Sequence, residues 1–113
     1  MPDDVREDAL AQGVFRSANE TLAERRDELE VDGATPFLCE CRRRGCTELV
    51  HLDPDLYERI RAEGHRFVVV PGHEQGLPAV EVLERTDGYV VIEKQGPYGA
   101  AAKTLDPRRD GDA

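Results

Sequence analysis

The sequence predicts an α+β domain. It reads as a long N-terminal helix, a small and mostly antiparallel sheet of four or five strands, one short helix, a knuckle-like cysteine cluster and a disordered C-terminal tail. Three observations lead there. Apolar residues of helical period run through the first third of the chain, and short apolar or alternating runs bounded by Gly, Pro and Asp fill the middle. The final stretch is rich in Gly, Ala and Asp and shows no period. A chain of 113 residues fits one core, divided into a helix over 1–33, an α+β unit over 34–95 and a tail over 96–113.

The helix is expected over residues 4–28. Leu10, Val14, Ala18 and Leu22 recur every four residues, Ala11 and Phe15 widen the stripe, and charged residues occupy the other face. That stripe predicts packing on the rest of the domain, or pairing with a second helix in a homodimer or a protein partner. Gly33 ends the segment, and Pro36 pushes Thr35 into an extended conformation. "FLCEC" and "ELVHL" then read as two short antiparallel strands joined by "RRRGCT", with Gly45 in the strained position. In "LDPDLYERIRAEG", Asp53 is the N-cap and Pro54 the first helical residue, Leu56 and Ile60 form the apolar face, and Gly64 stops the helix. "HRFVVVPGHE" is a third strand running into a Pro-Gly turn. "AVEVLERTDGYVVIEK" is a hairpin in which Val80, Val82 and Glu84 face one side.

The cysteines carry the chemistry. Cys39, Cys41 and Cys46 fall within one short stretch, and residues two apart on a strand point to the same side. A loop turning at Gly45 returns the third sulfur to the first two. Thiolates so spaced suit a tetrahedral, borderline-soft cation, one structural Zn2+ ahead of an iron–sulfur cluster. Buried inert thiols and redox chemistry are the other readings. A fourth ligand must come from His51, His65 or His73. His73 ranks first, because a tight turn after a rigid strand holds its side chain at a fixed angle; His51 ranks second and His65 last. Arg42, Arg43 and Arg44 could offset the negative charge of such a centre, form a solvated loop, or grip an anion or nucleic acid.

These motifs resemble a family of small uncharacterised actinobacterial proteins that share an FxCEC-x4-C segment, a Tyr-containing helix, an RFxVxPGHE segment and a GYxVVEK hairpin. A Phe-Arg and Asn-Glu signature, here Phe15, Arg16, Asn19 and Glu20, accompanies them. The resemblance spans residues 14–95. It implies that Cys39, Cys41, Cys46 and His73 act as a set, because these four fall on the motif and His51 and His65 do not. The basic loop departs from the family, where that stretch is acidic or neutral. The three Cys and one His also resemble the ligands of CDGSH-type iron–sulfur proteins, although the CDGSH segment itself is missing.

The remaining signals bound the function. A net charge of −9 disfavours nucleic acid as a partner. No apolar run approaches the roughly 20 residues of a membrane span, and the acidic start lacks a secretory layout, so a cytoplasmic location with reduced thiols is expected. Glu40 and Glu74 are the carboxylates a catalytic zinc could use as base, but four strong ligands leave no open position. The expectation is therefore a structural zinc in a protein-interaction or regulatory module rather than an enzyme. The alternative is a metal- or thiol-dependent redox sensor or enzyme.

Overall fold

A computed structural model of the chain describes residues 1–29, 33–43 and 45–106. Helix α1 spans Asp3–Glu24 and is followed by a short α2, Arg26–Leu29. Strands β1, Thr35–Leu38, and β2, Leu49–Leu52, pair antiparallel, with Thr35 opposite Leu52 and Leu38 opposite Leu49. Helix α3, Pro54–Arg61, leads into β3, Arg66–Val69. Strands β4, Val80–Arg85, and β5, Val90–Lys94, form the hairpin, and α4, Gly96–Thr104, follows. The α+β class is as the sequence predicts.

The five strands form two antiparallel sheets, β1-β2 and β3-β5-β4. Glu40 joins them. Its N–H donates to the Val68 carbonyl at 2.9 Å, and its side-chain Oε1 accepts the Val68 N–H at 3.0 Å. The chain just past β1 therefore runs along β3, and this places the cysteines beside the turn that follows β3.

Local chemistry sets α3 as expected. The Asp53 carboxylate accepts the Asp55 N–H at 2.8 Å, and Pro54 supplies the preset φ of the first turn. Tyr57 and Ile60 are buried on its inner face, where the Tyr57 ring stacks on Phe37 with centroids 4.2 Å apart. Val50, Leu52, Val68 and Val91 complete this core. A second cluster gathers Phe67, Val69, Val90, Ile92 and Ala102 around Cys39 and Cys41.

The buried face of α1 is not the apolar stripe. Leu10 and Val14 are 47% and 69% exposed, while Val5, Asp8, Ala9, Gln12, Arg16 and Asn19 are buried. The reason lies beneath the helix, which covers backbone groups at the ends of β1 and β3. Gln12 donates to the Glu40 carbonyl at 2.8 Å. Arg16 donates to the carbonyls of Gly64 and Arg66 and lies 3.8 Å from the Phe67 ring centroid. Asp8 accepts two hydrogen bonds from buried Lys94, at 3.2 and 3.0 Å. Only the end of the stripe, Leu22, packs against the Phe37 core.

The C-terminal segment also departs from expectation, because residues 96–104 of the anticipated disordered tail form α4. Alanine carries the highest intrinsic helix propensity, and small side chains let the helix approach closely. Ala101 and Ala102 are buried, and Ala101 packs with Val5 and Ala9 of α1. Asp106 then meets buried Arg61 at 2.5 Å. Residues 107–113 of that tail lie outside the described residues. In the hairpin, β4 is an exposed edge strand with a bulge between Val82 and Glu84, and Val82 faces solvent. Among the described residues, no helix is long and apolar enough to cross a membrane.

Candidate metal centre

Each donor is delivered by a short piece of local structure. Strand β1 ends at Leu38, so Cys39 and Cys41 stand just beyond it rather than within it, and Arg42 turns the chain with a φ of 53°. Cys46 is brought back by a tight turn in which its N–H donates to the Arg43 carbonyl at 3.1 Å; Gly45 supplies the required φ of 82°. The fourth donor follows β3. Val70-Pro71-Gly72-His73 closes with the His73 N–H on the Val70 carbonyl at 2.9 Å, and Gly72 has a φ of 94°. Proline followed by a positive-φ glycine is the pattern of a type II turn, which fixes where the imidazole emerges.

The four side chains converge. His73 Nδ1 lies 3.5 Å from Cys39 Sγ and 3.7 Å from Cys46 Sγ, and all four donor atoms, Cys41 included, fall within 4.8 Å of one another. Bond lengths of about 2.3 Å to sulfur and about 2.1 Å to nitrogen at a tetrahedral angle require an S···N separation of about 3.6 Å. The two His73 distances straddle that value. Cys39 and Cys41 are buried, whereas Cys46 and His73 are half-buried, so the cluster has one closed side and one side toward solvent. The three cysteines are free thiols.

The surroundings of Cys39 and Cys46 favour the neutral thiol. Burial pushes the Cys39 thiol well up from its ordinary value, and the Val70 N–H, 3.1 Å from its sulfur, opposes that only in part. Burial likewise raises Cys46, against a hydrogen bond from the Glu48 backbone. A thiolate trio here needs positive charge at its centre. The outer nitrogen of His73, Nε2, sits 2.7 Å from Glu48 Oε2. A carboxylate this close to Nε2 favours the tautomer that carries its proton there, which would leave the Nδ1 lone pair to the sulfurs.

The other predicted participants go elsewhere. His51 is exposed on β2 opposite Pro36, and His65 Nε2 lies 3.4 Å from Glu93; neither belongs to the converging group. Arg42 Nε approaches Asp8 at 2.6 Å, and Arg43 donates to the carbonyls of Gly72 and Gln75 at 3.4 and 3.2 Å. These two arginines thus tie the cysteine loop to α1 and to the histidine turn, while Arg44 lies outside the described residues. Glu40 uses one carboxylate oxygen on Val68 and the other on Asn19. Glu74 accepts from the Gly72 N–H at 2.8 Å and pairs with Arg85 at 3.0 Å. Burial works to raise its pKa, but hydrogen bonds from its own N–H, Arg85 and Gly72 outweigh this and hold the carboxyl below its usual value.

Glu48 escaped sequence reasoning, and Asn19 entered it only through the Asn-Glu signature of the resemblance, with no role attached. Each is a single polar residue whose partners lie far away or on a neighbouring loop, and no spacing rule marks it. Comparison with protein-family models, with curated proteins and with solved structures returned no match for this chain.

Proposed function

We propose that Cys39, Cys41, Cys46 and His73 hold one structural Zn2+ that ties β1, the cysteine loop and the turn after β3 together. The observation that carries this reading is the pair of His73 Nδ1–sulfur separations, 3.5 and 3.7 Å, at the spacing a tetrahedral ion demands. Three thiolates, a neutral imidazole and a divalent ion sum to a charge of −1, and backbone N–H groups from Val70 and Glu48 at the sulfurs offset it. A structural role is favoured over a catalytic one because four protein donors fill the coordination sphere. The two carboxylates that could serve as a base, Glu40 and Glu74, are both engaged in holding the fold. A small core gains heavily from such a staple, on the order of 10 kcal/mol of apparent binding energy.

In this reading the domain is a cytoplasmic protein-interaction or regulatory module, in line with the resemblance to the actinobacterial FxCEC/PGHE family. The surface offered to a protein partner or a second copy is the exposed side of α1, where Leu10 and Val14 border a groove with Gly13 and Leu105. The acidic surface argues against nucleic acid.

Elemental analysis of the purified protein, paired with chelation, tests the reading. One zinc per chain is expected, with loss of the cooperative thermal transition on metal removal. A protein that holds no metal, or that melts unchanged after chelation, would overturn it. Metal release with disulfide formation under mild oxidant would instead support the redox-sensor alternative.

A further inference from the structure

We infer that Glu48 is the positioning residue of the metal centre: its carboxylate fixes His73 as an Nδ1 ligand and so sets the affinity for the metal. This rests on the zinc reading above and adds to it a residue outside the ligand set.

Glu48 stands immediately before β2 and meets three of the four donors' residues. Its backbone carbonyl accepts the Cys39 N–H at 3.1 Å, its N–H bonds the Cys46 sulfur, and its Oε2 lies 2.7 Å from His73 Nε2. The first two contacts are made by the main chain and survive any side-chain change. The third belongs to the carboxylate alone, so substitution at this position isolates it.

The chemistry of imidazole explains why that contact matters. A neutral ring has one lone pair and one N–H, and a metal needs the lone pair. With Nδ1 turned toward Cys39 and Cys46, the proton must sit on Nε2, where it needs an acceptor. Glu48 supplies one. Without it the ring samples the other tautomer and other rotamers, and each of these withdraws a donor from the ion. Loss of such an outer contact characteristically weakens metal binding by about 10- to 100-fold. The Glu48 side chain is 59% exposed, so removing it opens no core cavity and its effect is not one of packing.

The test compares wild type with Glu48→Ala, Glu48→Gln and the exposed-strand control His51→Ala. Zinc affinity is measured by competition with a chromophoric chelator, and the His73 tautomer is read by nitrogen-15 NMR of the zinc-loaded protein. Glu48→Ala is expected to bind zinc about 10- to 100-fold more weakly. Glu48→Gln, whose amide oxygen can still accept, should recover part of the loss, and His51→Ala should match wild type. Wild type should show Nε2–H with Nδ1 bound to metal. Unchanged affinity in Glu48→Ala, or zinc bound through Nε2 in wild type, would overturn the role of Glu48 while leaving the centre intact. Wild type that takes up no zinc at all would remove the centre itself and this role with it. Should Glu48→Ala fail to fold, the near-isosteric Glu48→Gln still gives the tautomer and the affinity.

Discussion

The side-chain amide of Asn19 pairs with both backbone groups of Leu38, donating to its carbonyl at 2.9 Å and accepting its N–H at 2.7 Å. An amide in that position imitates a neighbouring strand. It allows a helix to cap the end of β1, where no further strand pairs among the described residues, and Asn19 Nδ2 also reaches Glu40 Oε2 at 3.1 Å. Leu38 and Glu40 flank Cys39, so α1 holds the chain on both sides of a candidate ligand.

Asn19→Ala should therefore cost more than an ordinary surface substitution. It leaves the Leu38 N–H and carbonyl without their partner in a part-buried site, and each such group costs about 1–3 kcal/mol. We expect a loss of about 3 kcal/mol in urea unfolding of the zinc-loaded protein, with Asn19→Leu no better despite its similar size. A change below about 0.5 kcal/mol, typical of an unconstrained surface site, would show that the pairing does not hold the helix.

The ligand set makes a separate prediction. Cys39→Ser should abolish metal retention and most of the thermal transition, because Cys39 lies at the closed side of the cluster and also receives the Val70 N–H. His73→Ala should lower the zinc content far more than His51→Ala, since only the former removes a converging donor. Metal stoichiometry after dialysis against a weak chelator checks both. Retention by His73→Ala together with loss by His51→Ala would reassign the fourth ligand.

What the sequence revealed and what it hid divide along a physical line. Asp53-Pro54 and Pro71-Gly72 were legible because their structure comes from their own side chains and dihedral preferences, within a few residues. Three cysteines were legible because thiols in one loop have few other uses. The buried face of α1 was not. Asp8, Gln12, Arg16 and Asn19 are polar, and burial of a polar group depends on the partner that satisfies it, which the helix's own sequence does not contain. The partners of Arg16, namely Gly64, Arg66 and Phe67, all lie about 50 residues further along the chain. Helix α4 was hidden for a related reason. Its apolar face consists of alanines, which give almost no periodic contrast.

Helix α4 should also contribute to stability. Removing residues 97–113 takes away Ala101 and Ala102 from the α1 and β5 contacts and Asp106 from buried Arg61, so a clear fall in melting temperature is expected. Gly99→Ala probes the same docking with one methyl group. A Cβ at that position would lie 2.4 Å from the Lys94 carbonyl oxygen, backbone that cannot swing aside. Helix propensity alone would make this substitution stabilising by about 1 kcal/mol. Overlap should win and give a net loss of about 1–3 kcal/mol. A stabilised Gly99→Ala would mean that α4 does not press against the end of β5.

The last prediction concerns pH, and Glu93 carries it. Arg66 Nε donates to one carboxylate oxygen at 2.9 Å and Gln95 to the other at 3.0 Å, and together they hold the Glu93 carboxyl below its ordinary value. A depressed pKa in the folded state means that the unfolded chain binds the proton more readily. The stabilisation is therefore complete above the unfolded value of 4.5 and is lost as pH falls through the lower, folded value. Acid would also strip the proposed zinc from its thiolates, which would mask the effect in wild type alone. The difference between wild type and Glu93→Gln cancels that contribution, because both chains keep the same ligands. That difference should favour wild type by up to about 1 kcal/mol near neutrality, as befits a partly exposed pair, and should shrink toward zero under more acidic conditions. Thermal melts of the two proteins in parallel from pH 7 to below 4 provide the measurement. A gap that stays constant to the acid end would show that the Glu93 charge contributes nothing, and that the substitution acts through shape alone.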